Sequence, residues 1–507
     1  MMIRNALAHL LAGRFAEAEL AARSIVQADA RQPQANFLLG LALLQSGKTG
    51  EAIRFLGTAA SLKPEDAHFH YNLGLALQRA GRSGDAAASY EKAVGIDPAF
   101  FEALDNFGIV LQEKGDFGRA VAVHGKAIEL QPENPGAWCN LGLALQGAGD
   151  LDGALDSFGK ALSINPAYPE ALNNLGFALF EKGRAEEAVS CYLGALAARI
   201  DYPKAKFNLS LALLLMGNYG QGFEHYESRF SGAVELSGCG EMFRSGIAQW
   251  RGEDLEGKRI LVWMEQGLGD AIMMLRYFPM MKGEIHVACG PELERLVCEI
   301  PGIASGDGGC FDFHCPIMSL PHVFGTTIET IPVPALQVPE SMRLEWKRKL
   351  SGFSGPKIGL VWAGGKKLRR DNLRSMTSET LKPLLEVEGV NFFSLQKDGC
   401  FPDSRVIDLM GDCGDLLDTA ACISSLDLVI SVDTAVAHLA GATGKPVWLM
   451  NRFESEWRWM KERDDSPWYP SMRIFTQKRP RDWDEVVSRM KNELSILLRT
   501  GSHFSEK

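Results

Sequence analysis

Leu and Ala recur at helical spacing through the first 230 residues, as in Asn140-Leu-Gly-Leu-Ala-Leu145. A longer period is laid over this one. An Asn-Leu-Gly-like triplet ends at Gly40, Gly74, Gly108, Gly142 and Gly176, a constant step of 34 that also falls on Ala6 and Ser210. A second series, Gly13, Gly47, Gly81, Gly115, Gly149, Gly183 and Gly217, runs in phase with it. Small residues follow at Ala18, Ala52, Ala86, Ala120, Ala154 and Ala188, and prolines at Pro64, Pro98, Pro132 and Pro166. The pattern predicts helix pairs. The first small residue lets the two helices approach, the second glycine series breaks the chain between them, and the prolines open the connection to the next pair. One pair cannot bury its apolar face alone, so the pairs stack. Six are clear. A seventh, at about 206–230, is worn: Phe223 crowds the small position and Pro203 is out of phase.

After Gly232 the period is lost. Residues 231–257 read as a linker, and strand-like runs then alternate with helical ones. The predicted strands are Ile260–Met264, Ile285–Ala288, Ile358–Trp362, Phe392–Leu395, Leu428–Val432, Val447–Met450 and Arg473–Phe475. Such alternation predicts α/β units on parallel sheets. The proline-rich stretch Pro332–Pro356 reads as a hinge, dividing a first lobe with hinge, 258–355, from a second, 356–507.

Two strand-to-helix turns carry chemistry. The first is Ile260-Leu-Val-Trp-Met-Glu-Gln-Gly267-Leu-Gly269-Asp270. Its glycines would let backbone approach a ligand beyond a strand end, with Asp270 facing the crevice; Asp270 as a simple helix cap is the alternative. The second is Leu428-Val-Ile-Ser-Val-Asp433-Thr434-Ala-Val-Ala-His438. A helix opening at Asp433 or Thr434 offers free N–H groups to a phosphate, and His438 can add a donor; a cap plus a core histidine is the alternative. In the repeats, Asn72, Asn106, Asn140, Asn174 and Asn208 stand two residues before the small position. Asn matches a peptide amide in donors and acceptor, so these form either a ladder for an extended chain or a residue the repeat tolerates there.

Composition narrows the classes. The chain has 46% apolar and 23% charged residues and a formal charge of −10, an ordinary globular balance whose acidic excess argues against a nucleic-acid partner. No apolar run approaches the ~18 residues of a membrane span, and Met1–Arg14 lacks the apolar core of a signal peptide. Ten Cys occur without a Cys-x-x-Cys pair, which fits reduced thiols in a cytoplasmic protein. Asp482-Trp-Asp484 starts a late helix and reads as a cap rather than a metal site.

The 34-residue order of small residues resembles the tetratricopeptide repeat (TPR) over residues 1–230. The asparagine series resembles the ladder lining the superhelix of O-GlcNAc transferases. The two turns, with Ile358-Gly-Leu-Val-Trp-Ala-Gly-Gly365 and Ser466-Pro-Trp-Tyr-Pro470, resemble the heptosyltransferase-like glycosyltransferases of GT-B fold over about 255–480. This implies an all-α TPR superhelix followed by an α/β GT-B domain of two Rossmann-like lobes. It further implies a nucleotide-sugar donor on the second lobe, no metal and no cofactor beyond that co-substrate. Asp270 matches the base that deprotonates the acceptor. Gly267, Gly269, Asp433, Thr434 and His438 fall to donor binding, with Lys366 and Lys367 meeting the pyrophosphate and Gln396 placed for the base or ribose. The loop Gly365-Lys-Lys-Leu-Arg-Arg-Asp371 departs from the Asn/His-rich loop usual there. In domain order the chain resembles the repeat-bearing flagellin glycosyltransferases, which implies a flagellin acceptor and a nonulosonic acid from a CMP-linked donor; the heptosyltransferase fold implies an ADP-linked one. Two other classes stay open: a transferase acting on a glycolipid or polysaccharide, for which Arg276-Tyr-Phe-Pro-Met-Met281 would be the membrane-facing patch, and a non-catalytic scaffold.

Overall fold

In the computed structural model, residues 2–232, 246–306, 308–334, 336–365, 371–501 and 504 are described. The chain forms two compact units, Met1–Ile200 and Asp201–Lys507.

The first unit is a stack of helix pairs, from Met2–Leu11 with Phe15–Ala28 to Pro169–Glu181 with Ala185–Ala198. The glycine of each inter-helix turn adopts a left-handed backbone, with φ of +72° at Gly81 and +88° at Gly149, a conformation that penalises any Cβ. The small residue of the first helix meets a large one of the second. A Cβ added at Gly74 would lie 2.6 Å from the Tyr90 ring, and one at Gly142 would lie 2.5 Å from Phe158. At Gly108 the partner is His124, fully buried where the other pairs place Leu56, Tyr90, Phe158 and Tyr192. The prolines fall in the connections between pairs, as the period predicts.

The second unit opens with the seventh pair, Pro203–Leu215 and Tyr219–Tyr226. Two parallel sheets follow. The first contains β1 (Ala248–Gln249), β2 (Arg259–Trp263), β3 (Glu284–Ala288), β4 (Ile303–Ser305) and β5 (Phe313–Pro316) in the order β1-β5-β2-β3-β4. The second contains β6 (Lys357–Val361), β7 (Asn391–Ser394), β8 (Val406–Asp408), β9 (Leu428–Val432), β10 (Val447–Asn451) and β11 (Met472–Thr476) in the order β11-β10-β9-β6-β7-β8. The seven strands expected from the sequence are present within a residue at each end. β1, β4, β5 and β8 were not expected. Two boundaries also move. The seventh pair, counted with the array on its period, belongs to the second unit. The described part of the expected linker is built into the first sheet: β1 pairs with β5, and Trp250 is buried against Phe324. No helix among the described residues is long and apolar enough to cross a membrane.

Burial pulls the His124 imidazole down to about 4 from its ordinary 6.5. In that window the unfolded chain binds the proton and the folded one does not, so the contribution is intact above pH 6.5 and is lost as pH falls toward 4. Between pH 7 and pH 5 the wild type should lose about 2 kcal/mol more stability than His124→Leu. Urea unfolding at the two pH values measures it; equal losses would mean that the buried ring accepts the proton without penalty.

Candidate functional site

Parallel α/β sheets bind ligands beyond their strand C-termini, where the strand order reverses. In the second sheet that point lies between β6 and β9, since β7 continues on one side and β9 lies on the other. A cleft of about 230 Å³ opens there, lined by Val361, Gln396, Cys413 and Thr434 of the second lobe and by Leu268 and Glu292 of the first. In the first sheet the reversal falls between β2 and β5, and the turn after β2 carries Gly267–Asp270.

The two turns meet. Gly269 lies so close to His438 that an added Cβ would sit 2.6 Å from the ring carbon Cδ2. The glycine is therefore demanded by contact between the lobes. Asp270 does not cap its helix: Gly267 occupies the cap position and no side chain caps it. The Asp270 carboxylate reaches the second lobe instead. Arg458 donates to its Oδ1 from Nε at 2.6 Å and also from Nη2. Both bonds fall on Oδ1, and Oδ2 has no hydrogen-bond partner among the described residues. The Asp270 and Arg458 side chains are only 13% and 11% exposed. Burial alone would lower the Arg458 pKa; the charges of Asp270 and Glu456 more than offset this and hold it well above its ordinary value. Glu456 braces the guanidinium at 2.7 Å.

The second turn is arranged around Asp433. Its carboxylate lies 3.6 Å from His438 Nε2, and its carbonyl accepts from Arg374 Nη1 at 2.7 Å. Burial pushes this carboxyl up, but His438 and the Arg458 and Arg374 guanidiniums outweigh burial and hold it well below the carboxylate range. His438 is 2% exposed, packed on Trp459 and joined through Nδ1 to the Tyr469 hydroxyl at 3.0 Å. It stands behind the cleft wall rather than on it. Thr434 takes the cap position of the helix Ala435–Ala442 without a side-chain cap bond; its hydroxyl pairs with Ser431 at 3.0 Å. The first turn of this helix, Ala435 and Val436, lines the cleft, where its N–H groups can meet an anion.

Gln396 reaches the cleft rim, but its amide serves the neighbouring loop. Its Oε1 accepts from the Trp362 and Ala363 amides at 3.2 and 3.0 Å, and its Nε2 donates to the Ala363 carbonyl at 3.1 Å. Lys366 and Lys367 lie outside the described residues. Asp482 caps its helix by accepting from the Glu485 amide at 3.2 Å. Among the described residues no three His, Cys, Asp or Glu side chains cluster as metal ligands. Arg276, Tyr277 and Phe278 are 3%, 0% and 1% exposed, so most of the expected membrane-facing patch is interior and only Pro279 and Met280 of it are exposed.

The asparagine series is partly committed to holding repeats together. Asn106 Nδ2 donates to the Tyr71 hydroxyl at 3.1 Å and Asn140 Nδ2 to Asp105 at 2.7 Å, each 35 residues back on the preceding pair. Asn174 does the same to the Cys139 sulfur at 3.4 Å and accepts from Asn173 at 3.2 Å. Asn72 binds its own helix at the His68 carbonyl, 2.8 Å away. Asn174 and Asn208 are 8% exposed. Asn72, Asn106 and Asn140 are half-buried and keep a carbonyl oxygen unpaired among the described residues.

Arg458, Arg374 and the role of Tyr469 were missed from the sequence. Glu456-Trp-Arg-Trp459 carries no periodic or glycine signal, and only the proximity of Asp270 gives Arg458 its meaning. Tyr469 was visible only as part of a landmark segment.

The N-terminal 200 residues carry tetratricopeptide repeats: family models of this repeat match residues 3–56, 37–99, 108–149, 148–183 and 170–200. Protein FlbA of Caulobacter vibrioides is 30% identical over 329 residues, covering 55% of this chain and 53% of FlbA. The match thus spans about half the length of that relative, and its share of this chain is larger than the repeat array. Among solved structures, MamA of Desulfovibrio magneticus RS-1 is 23% identical over 33% of this chain and 95% of its own, with a TM-score of 0.32. YrrB, described as a TPR protein with an unusual peptide-binding site, is 21% identical over 36% of this chain and 95% of its own, with a TM-score of 0.33.

The Gly269–His438 contact should appear as coupling between substitutions. Gly269→Ala should cost about 1–3 kcal/mol by overpacking, and His438→Ala in the same chain should recover most of that increment. Denaturant unfolding of the two single variants and the double variant measures the coupling; simple additivity would mean that the two turns do not touch.

Proposed function

We propose that this chain is a metal-independent protein O-glycosyltransferase of GT-B type, acting in the cytoplasm on a polypeptide held by its repeat array. The observation that carries the reading is the meeting of the Gly267–Asp270 and Asp433–His438 turns beside one cleft, each at the C-terminal edge of its own parallel sheet. A site shared by two such lobes suits a donor on one and an acceptor on the other. The donor is a nucleotide-linked sugar, either a CMP-linked nonulosonic acid or an ADP-linked sugar. The domain order points to flagellin as the acceptor.

The chemistry needs one base and one anion site. Asp270 Oδ2 takes the proton of a Ser or Thr hydroxyl as that oxygen bonds to the anomeric carbon. The bond from that carbon to the donor phosphate oxygen breaks, and CMP or ADP leaves with the electron pair. The developing charge is met by the N–H groups opening the helix Ala435–Ala442 and by Lys366 and Lys367. Arg458, holding only Oδ1, orients the carboxylate with its other oxygen toward the acceptor. Gln396 fixes the loop after β6 at the cleft edge. In the array, the unpaired side-chain oxygens of Asn72, Asn106 and Asn140 accept peptide N–H groups of the bound chain.

Asp270→Asn keeps the shape and the Arg458 contact but removes the base. It should lower kcat by about 10²–10⁴-fold while nucleotide affinity stays nearly unchanged. Steady-state transfer from CMP- and ADP-sugars to a purified flagellin, with calorimetric nucleotide titration, measures both. EDTA should change neither. Retained transfer in the variant would remove Asp270 as base, and inactivation by EDTA would overturn the metal-free chemistry.

A further inference from the structure

The turn that presents Asp270 is gripped from the seventh helix pair. Arg229 lies three residues beyond that pair and is fully buried. Its Nε donates to Glu265 Oε2 at 2.8 Å and its Nη2 to Glu265 Oε1 at 2.9 Å, a two-pronged pair. Its Nη1 donates to Glu227 at 2.7 Å and to the Tyr226 carbonyl at 3.2 Å, and Nη2 also donates to Ser319 Oγ at 2.8 Å. All five guanidinium donors are thus used. Glu265 Oε1 takes a further bond from the Met318 amide at 3.0 Å. One residue on, Gln266 Nε2 donates to the Tyr226 hydroxyl at 2.6 Å. Glu265 and Gln266 form the turn between β2 and the helix that begins at Leu268 and carries Asp270.

The same helix pair also holds the other side of the site. Tyr219 stacks on Trp468 and accepts its indole N–H at 3.0 Å, and Phe223 meets Trp457 edge-on with centroids 5.7 Å apart. Trp457 precedes Arg458, the partner of Asp270, and Trp468 precedes Tyr469, the partner of His438.

A joint that needed only cohesion would be served as well or better by apolar residues, because burying two charges costs about as much as their attraction returns. A fork with every donor matched fixes distance and angle instead. We infer that Tyr226 and Arg229 are positioning residues for Asp270: the last helix pair is part of the transferase site and sets the turn from which the base acts. This rests on the reading of Asp270 as the base.

The test uses the full chain and three variants: Tyr226→Phe, Arg229→Lys, and the apolar pair Arg229→Met with Glu265→Leu, which removes both buried charges together. Each is measured for the kcat and KM of transfer, for nucleotide affinity, and for amide hydrogen exchange in 264–270 against the central strands β6 and β9. The expected result for Arg229→Lys and the apolar pair is a kcat about 10- to 100-fold lower, with KM for donor and nucleotide affinity unchanged. Exchange should be faster in 264–270 while β6 and β9 stay protected. Tyr226→Phe should show the same pattern more weakly. Wild-type kcat in a folded apolar pair, or unchanged exchange in 264–270 in all three, would overturn the inference. A wild-type chain inactive with every nucleotide-sugar, whose variants still loosen 264–270, would remove the glycosyltransferase reading and leave the clamp on the turn standing.

Discussion

The Asp270–Arg458 ion pair is the contact on which the candidate site depends. Neither group could be left alone at its depth. An unpaired carboxylate or guanidinium nearly out of water would cost several kcal/mol, so each fixes the other, and with it the lobe that bears it. The pair can form because Gly269 lets one helix start run against the His438 ring. Asp433, Arg374 and Tyr469 then hold that ring and its turn in place. A side chain at position 269 would hold the turns apart, and the carboxylate would face water instead of an arginine.

The proposed chemistry belongs to neither lobe alone. In that proposal the base comes from the turn after β2, its orienting arginine from a loop beyond β10, and the anion-binding helix start from the turn after β9. The seventh helix pair continues the period of the array in sequence, yet its aromatic face is spent on Trp457 and Trp468. Its aromatic residues become intelligible: Gly222 keeps the small position of the period, and Phe223 beside it fills the space against those indoles.

Much of the fold was legible in the sequence because the signals were either repeated or continuous. A 34-residue period recurring through the array averages out local exceptions such as His124 at an apolar position. The central strands show as unbroken apolar runs, since Leu428–Val432 is buried on both faces. β1, β4 and β8 have two or three residues each, too few for any pattern, and β5 reads Phe-His-Cys-Pro, with little strand character. The site was half legible for a related reason. Asp270, Thr434 and His438 lie on strand-to-helix turns, which glycine and strand patterns reveal. Arg458 lies on an irregular segment 188 residues from its partner, and only tertiary structure brings the two together. Gln396 lines the cleft, but position alone could not show that its amide is used on the backbone of 362–363.

The central claim is that these two turns transfer a sugar to protein. The most direct test is the intact mass of flagellin, and then of the wider proteome, from cells carrying the wild-type chain or Asp270→Ala. The account predicts a sugar-sized increment on an acceptor protein in the first and its loss in the second, with the mass naming the sugar. Identical masses across all proteins in the two strains would contradict it.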